Sequence, residues 1–159
     1  MLTALTLWFA VTSVIDLHVC PHSHFDVGFE TTPDLMFGRN ASRLGGPHNH
    51  PKSVGLVLDS VVEALREDLA RTYNMAEIFY LDLLWQSKNA TDRAFFTSLV
   101  KQGRFNFMNG GWCQNDEANV HIDGIIDQHT LGHLFLRKLF GNSYTPSVGW
   151  QVSDRVSGY

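Results

Sequence analysis

Leu17-His18-Val19-Cys20-Pro21-His22-Ser23-His24-Phe25-Asp26-Val27-Gly28-Phe29 runs from an apolar start into a polar close. Leu17 to Cys20 reads as a buried strand. In an extended chain alternate side chains share a face, so His22, His24 and Asp26 come together where that strand ends. Two imidazoles and a carboxylate suit a divalent metal, zinc foremost, which takes nitrogen and oxygen donors at about 2.0–2.2 Å. Gly28 lets the chain turn away, and Phe29 supplies an aromatic surface beside the cluster. Polar groups closing a buried strand are costly unless partners or a metal satisfy them.

The same residues also admit a plainer reading, in which each histidine is a hydrogen-bonded strand-end residue without a metal. The spacing does not choose among metal hydrolases. Metallo-β-lactamase-like enzymes carry His-x-His-x-Asp-His, but Val27 stands where the further histidine belongs. Amidohydrolases open with His-x-His on a barrel strand, which this stretch alone leaves open.

The chain has 159 residues, enough for one domain with a core. Hydrophobic residues make up 44% and charged residues 18%, a globular balance rather than a disordered one. A net charge of −4 with no basic run argues against a nucleic-acid partner. Residues 1–13 form an apolar segment that reads as a secretory signal, with cleavage around Ser13. The run is too short for a membrane span, which takes about 20 apolar residues. Sequons at Asn40-Ala41-Ser42 and Asn89-Ala90-Thr91 agree with a secretory route. The two cysteines, Cys20 and Cys113, suit either a disulfide in an oxidising lumen or two free thiols.

Further along, residues 30–53 are rich in glycine and proline and read as a long loop, with His48 and His50 as solvated residues or extra ligands. Ser53 caps a helix to about Ala70, with Val54, Leu58, Val61, Val62, Leu65 and Leu69 on one face. A second strand is expected from Thr72 to about Phe79, with Glu77 near its end; residues 79–85 suit either strand or helix. Thr91 and Asp92 open a helix that Gly103 ends, and Arg104 to Met108 form a third strand. That strand runs into Asn109-Gly110-Gly111-Trp112, where glycines allow close backbone approach, and then into Asp116 and Glu117. A helix from Asp123 to Phe140 is expected to turn Ile126, Leu131, Leu134, Phe135 and Leu139 inward. Ser147 to Val152 reads as a fourth strand. Alternating strands and helices predict an α/β fold, a parallel sheet of about four strands with covering helices. Ligands in such sheets bind at the carboxyl ends of the strands, where the histidine stretch, Glu77 and the Gly-Gly-Trp loop all fall.

These residues resemble glycoside hydrolase family 38, the α-mannosidases, and most of all the lysosomal branch. The family opens its catalytic domain on Pro-His-Ser/Thr-His-x-Asp-x-Gly-Trp/Phe, matched by Pro21 to Phe29. Gly103 to Trp112 is similar to the family's third strand, Asn115-Asp116-Glu117-Ala118 to its lysosomal continuation, and Asp127 to Asn142 to the next helix. The resemblance spans Leu17 to Val152. It implies a zinc-dependent retaining exo-α-mannosidase acting on mannose-containing N-glycans, in the lysosome or outside the cell. By the same resemblance, His24 and Asp26 ligate Zn2+, His22 supports them, and Phe29 and Trp112 line the sugar. Phe25 stands where a polar residue is common.

The family's nucleophile is the aspartate of Trp-x-Ile/Val-Asp-Pro-Phe-Gly-His. Here Trp150-Gln151-Val152 is followed by Ser153 at that position, with Asp154 one residue late and on the opposite strand face. The expected organisation is therefore a signal at 1–13, the opening part of an α-mannosidase catalytic domain at 14–152, and a divergent tail at 153–159. The expectation is a truncated chain without hydrolytic activity of its own, its exposed sheet edge prone to self-association. The alternative is a non-catalytic glycan-binding or inert fragment.

Overall fold

Tyr73–Met75 (β1) and Phe105–Phe107 (β2) form the central ladder, two parallel strands in the register Tyr73↔Phe105, Asn74↔Asn106, Met75↔Phe107. The computed structural model describes residues 15–28, 31–38, 53–114 and 121–150. Around the ladder lie α1 (Pro33–Phe37), α2 (Val54–Glu67), α3 (Ile78–Ser87), α4 (Ala90–Lys101) and α5 (Ile122–Phe140), followed by a 3-10 turn at Asn142–Tyr144. The fold is α/β, as the alternation of patterns predicts. The paired strands among the described residues, however, number two rather than four.

Both missing strands survive as point attachments. His22 makes a single parallel bridge to Asn74, and the Pro21 carbonyl accepts from the Asn74 backbone N–H at 2.8 Å. Pro21 has no N–H of its own to extend a ladder. Residues 15–20 consequently run free of it, with Ile15, Leu17 and Val19 at 87%, 84% and 74% exposure rather than buried. The segment expected as the fourth strand is held beside β2 by one residue. Asn109 donates its backbone N–H to Val148 O at 2.9 Å, and its side chain brackets the Trp150 backbone, accepting from N and donating to O. Residues 147–150 are not a strand, and residues 151 onward lie outside the described part.

α2 forms as its pattern predicts. The Ser53 hydroxyl accepts from Leu56 N at 3.2 Å, and Val54, Leu58, Val62 and Leu65 are buried. The helix stops at Glu67, because Asp68 takes an extended conformation and its carboxylate accepts from Ala70 N instead; Leu69 is left exposed. The Leu65 and Asp68 carbonyls at this helix end are met by Arg104, buried just ahead of β2, which donates as well to Arg71 O in the segment that follows. The second strand is shorter than expected. Its apolar run divides at Glu77, and Ile78 onward is helix, burying Ile78, Tyr80, Leu81 and Leu84. α4 is capped by Asn89, whose Oδ1 accepts from Asp92 N at 2.9 Å, and it ends at Gly103 with φ +67°. The core joins Leu58, Leu65, Met75, Ile78, Leu84, Leu99, Phe105 and Leu136.

α5 turns inward only part of the expected face: Phe135 and Leu139 pack half-buried against the core, as expected, but three of the expected residues do not. Gly132, Leu136 and Phe140 are buried, while Ile126 and Leu134 are each 56% exposed and Leu131 is also exposed. The cause is backbone contact. A Cβ on Gly132 would lie 2.0 Å from the Gly110 carbonyl oxygen, so the helix rests directly on the Gly-Gly loop at Gly132. Counting apolar residues cannot detect a face built on the absence of a side chain.

Candidate functional site at the end of the ladder

Phe25 organises the motif. It is 9% exposed, and its ring meets Tyr80 edge to face with centroids 6.1 Å apart. Its neighbours in sequence must then point the other way. His24 and Asp26 do so together, with His24 Nε2 2.8 Å from Asp26 Oδ1 and both side chains partly exposed. The backbone beneath them is pinned at two points from the start of α3. Phe25 N–H donates to Glu77 Oε1 at 3.2 Å, and Tyr80 Oη–H donates to the Asp26 carbonyl at 3.1 Å. Burial pushes the Tyr80 phenol up to about 12, so it is a permanent donor there. Gly28, at φ +84°, then turns the chain away.

Glu77 is wholly buried. Desolvation raises its carboxyl to about 6; the Phe25 N–H, its own backbone N–H and His24 oppose the rise, and Asp26 adds to it. Its Oε1 lies 3.9 Å from His24 Nδ1, and its Oε2 has no hydrogen-bond partner among the described residues.

The Gly-Gly-Trp loop docks on the same helix start. Ile78 N–H donates to Gly111 O and Phe79 N–H to Trp112 O, each at 3.0 Å, satisfying two donors that a helix leaves unpaired. From the other side α5 holds the loop. Trp112 N–H donates to Gln128 O at 3.0 Å, Cys113 N–H to Gln128 Oε1 at 2.8 Å, and His133 Nε2–H to Asn109 O at 2.7 Å. Asn109 itself sits at φ +59°, which asparagine tolerates better than most residues. Trp112 is half-buried, its ring edge to face with Phe79 at 5.9 Å and Phe135 at 5.8 Å. Cys113 lies near enough to Glu77 for the carboxylate to add to the burial that raises its thiol.

Of the residues singled out in the sequence, His24 and Asp26 converge and His22 does not join them. The His22 Nδ1 lies 3.1 Å from Cys20 O, and its ring packs 4.6 Å from Trp150. Cys20 is exposed and Cys113 half-buried, and both are free thiols. Asn89 is exposed at the start of α4. The signal segment 1–13, Phe29, Asn40, His48, His50, Asp116, Glu117, Ser153 and Asp154 lie outside the described residues. Tyr80, Gln128 and Gly132 were not picked out by sequence patterning. Tyr80 and Gln128 act through one hydroxyl and one amide, and neither leaves a periodic trace.

The geometry suits metal chemistry only in part. An imidazole nitrogen and a carboxylate oxygen 2.8 Å apart at an accessible edge are the donor types zinc takes, and they stand close enough to share one ion. Among the described residues no further His, Cys, Asp or Glu joins them to make a set of three.

The carboxyl end of the ladder thus gathers an imidazole–carboxylate pair and a glycine-aromatic loop. Residues 14–154 match the glycosyl hydrolases family 38 N-terminal domain, and the chain belongs to that family. The relatives it matches are themselves named alpha-mannosidases. It is 37% identical over 142 residues to a lysosomal alpha-mannosidase of Homo sapiens, covering 88% of this chain and 13% of that protein. It is 37% identical over 141 residues to the lysosomal alpha-mannosidase of Bos taurus, covering 87% and 13%. To an alpha-mannosidase of Canavalia ensiformis it is 36% identical over 153 residues, covering 94% and 15%. The chain thus spans only about an eighth of the length of these relatives.

Proposed function

We propose that this chain carries the zinc-gripping corner of a retaining exo-α-mannosidase site for terminal α-mannose of N-glycans. The observation that supports this most is the 2.8 Å approach of His24 Nε2 to Asp26 Oδ1 over an anchored Phe25. His24 and Asp26 would hold zinc, and the ion would supply Lewis-acid contacts to sugar hydroxyls. Phe29 and Trp112 would flank the sugar, although Trp112 also spends part of its surface on Phe79 and Phe135. His22 would support from behind, through its contact with Trp150. The similarity to lysosomal enzymes and the exposed sequon at Asn89 support a secretory or lysosomal setting.

Retention requires a nucleophilic carboxylate and an acid/base carboxylate about 5 Å apart. Neither acid described at the site meets that need. Asp26 is committed to His24, and Glu77 is sealed from any substrate. Where the family places its nucleophilic carboxylate the sequence has the hydroxyl of Ser153. The 159-residue chain with added zinc is therefore expected to release a fluorogenic aglycone from an α-mannoside no faster than blank. Turnover well above blank would show that a carboxylate pair has been overlooked.

The exposed Ile15, Leu17 and Val19 lie on an extended stretch that pairs with no strand among the described residues, and offer apolar surface to a second copy. Sedimentation is expected to show mass rising with concentration; a monomer across that range would remove the idea.

A further inference from the structure

We infer that Glu77 is a positioning residue for zinc, setting both the backbone and the proton of His24. This rests on the reading of His24 and Asp26 as zinc ligands. Asp26 as a carboxylate can only accept, so the 2.8 Å contact puts the imidazole hydrogen on His24 Nε2. That nitrogen can ligate only after the hydrogen has left it. A neutral imidazole then carries its hydrogen on Nδ1, and Nδ1 is the atom facing Glu77 Oε1 at 3.9 Å. The gap is too long for a hydrogen bond but short enough for charge attraction in a buried setting. Glu77 thus favours the ligating tautomer, a carboxylate standing behind a histidine that faces metal.

The same oxygen accepts the Phe25 N–H, which lies between the two ligands in sequence. Its partner Oε2 is buried with no hydrogen bond among the described residues, an unusual cost for a residue that merely fills the core. Holding the Phe25 N–H needs only one acceptor oxygen, so a buried carboxylate with a second, unpartnered oxygen points to a task beyond that hydrogen bond.

The test is zinc affinity by chelator competition on the full chain, wild type against Glu77→Gln and Glu77→Leu. Glutamine can still accept from Phe25 but carries no charge. The expected result is a loss of about tenfold or more in zinc affinity for Glu77→Gln, with a melting temperature no lower than wild type. Glu77→Leu is expected to lose at least as much. Imidazole proton–nitrogen correlation spectra of the zinc-loaded wild type need no variant, and are expected to place the His24 hydrogen on Nδ1. Equal zinc affinity in wild type and Glu77→Gln would overturn the role of Glu77 alone, whereas a hydrogen retained on Nε2 with zinc bound would overturn the reading of that nitrogen as a ligand. A wild type that takes up no zinc would overturn the ligand reading itself.

Discussion

Gly132→Val lowers the unfolding free energy by about 3 kcal/mol and releases the Gly-Gly-Trp loop from α5. A single Cβ at that position would sit 2.0 Å from the Gly110 carbonyl oxygen and 3.0 Å from Gly111 C. Both are backbone atoms, so no rotamer change relieves the clash. The helix must rise off the loop, and three hydrogen bonds go with it: Trp112 to Gln128 O, Cys113 to Gln128 Oε1, and His133 to Asn109 O. Asn109 in turn holds Trp150, so the disturbance reaches the last described residue. Gly124 lies on the same helix with nothing within 4 Å of its would-be Cβ. Gly124→Ala is therefore the control, and is expected to raise stability slightly by removing helix-interior glycine entropy. Urea unfolding of both variants decides the matter. A valine variant within about 0.5 kcal/mol of wild type would mean that the close helix-to-loop contact does not hold the loop.

His24→Ala has the largest expected effect on ligand binding. The pair is the only His–Asp convergence at this edge among the described residues, and alanine leaves Asp26 alone. Zinc affinity is expected to fall by more than about a hundredfold, beyond what loss of a supporting residue costs. Stability should change little without metal, because the His24 side chain is partly exposed and Phe25 supplies the anchoring. His22→Ala, by contrast, is expected to leave zinc affinity within about threefold, since its ring faces Trp150 and not Asp26. Comparable losses for the two histidines would show that the site is assembled differently.

The outlines of this arrangement can be read from residue order. Alternation in Pro21 to Gly28 places His24 and Asp26 on one side, and the structure shows why: Phe25 between them is drawn into the core against Tyr80. The α2 pattern with its serine cap and the α4 pattern ending at Gly103 needed only local rules. The strand count failed because strand propensity is realised only by pairing. The valines and leucines of 15–20 and 147–150 look like strand, yet Pro21 breaks the ladder on one side and a lone asparagine stands in for it on the other. The inward face of α5 was legible only for Phe135 and Leu139, because the rest of its packing is glycine against backbone, and hydrophobic spacing registers only side chains. Glu77 was placed at the site by its position at a strand end. Its complete burial, and its hold on Phe25, depend on contacts 52 residues apart in sequence.

The central claim is that one imidazole and one carboxylate, from His24 and Asp26, grip zinc at the end of the ladder. Zinc-edge X-ray absorption on the wild-type chain carrying a single equivalent of metal tests it most directly. The account predicts a light-atom shell at about 2.0–2.2 Å containing one imidazole, with no sulfur, and loss of the imidazole signature in His24→Ala. A sulfur scatterer at about 2.3 Å, or a shell of several imidazoles that survives His24→Ala, would place the metal elsewhere and contradict it.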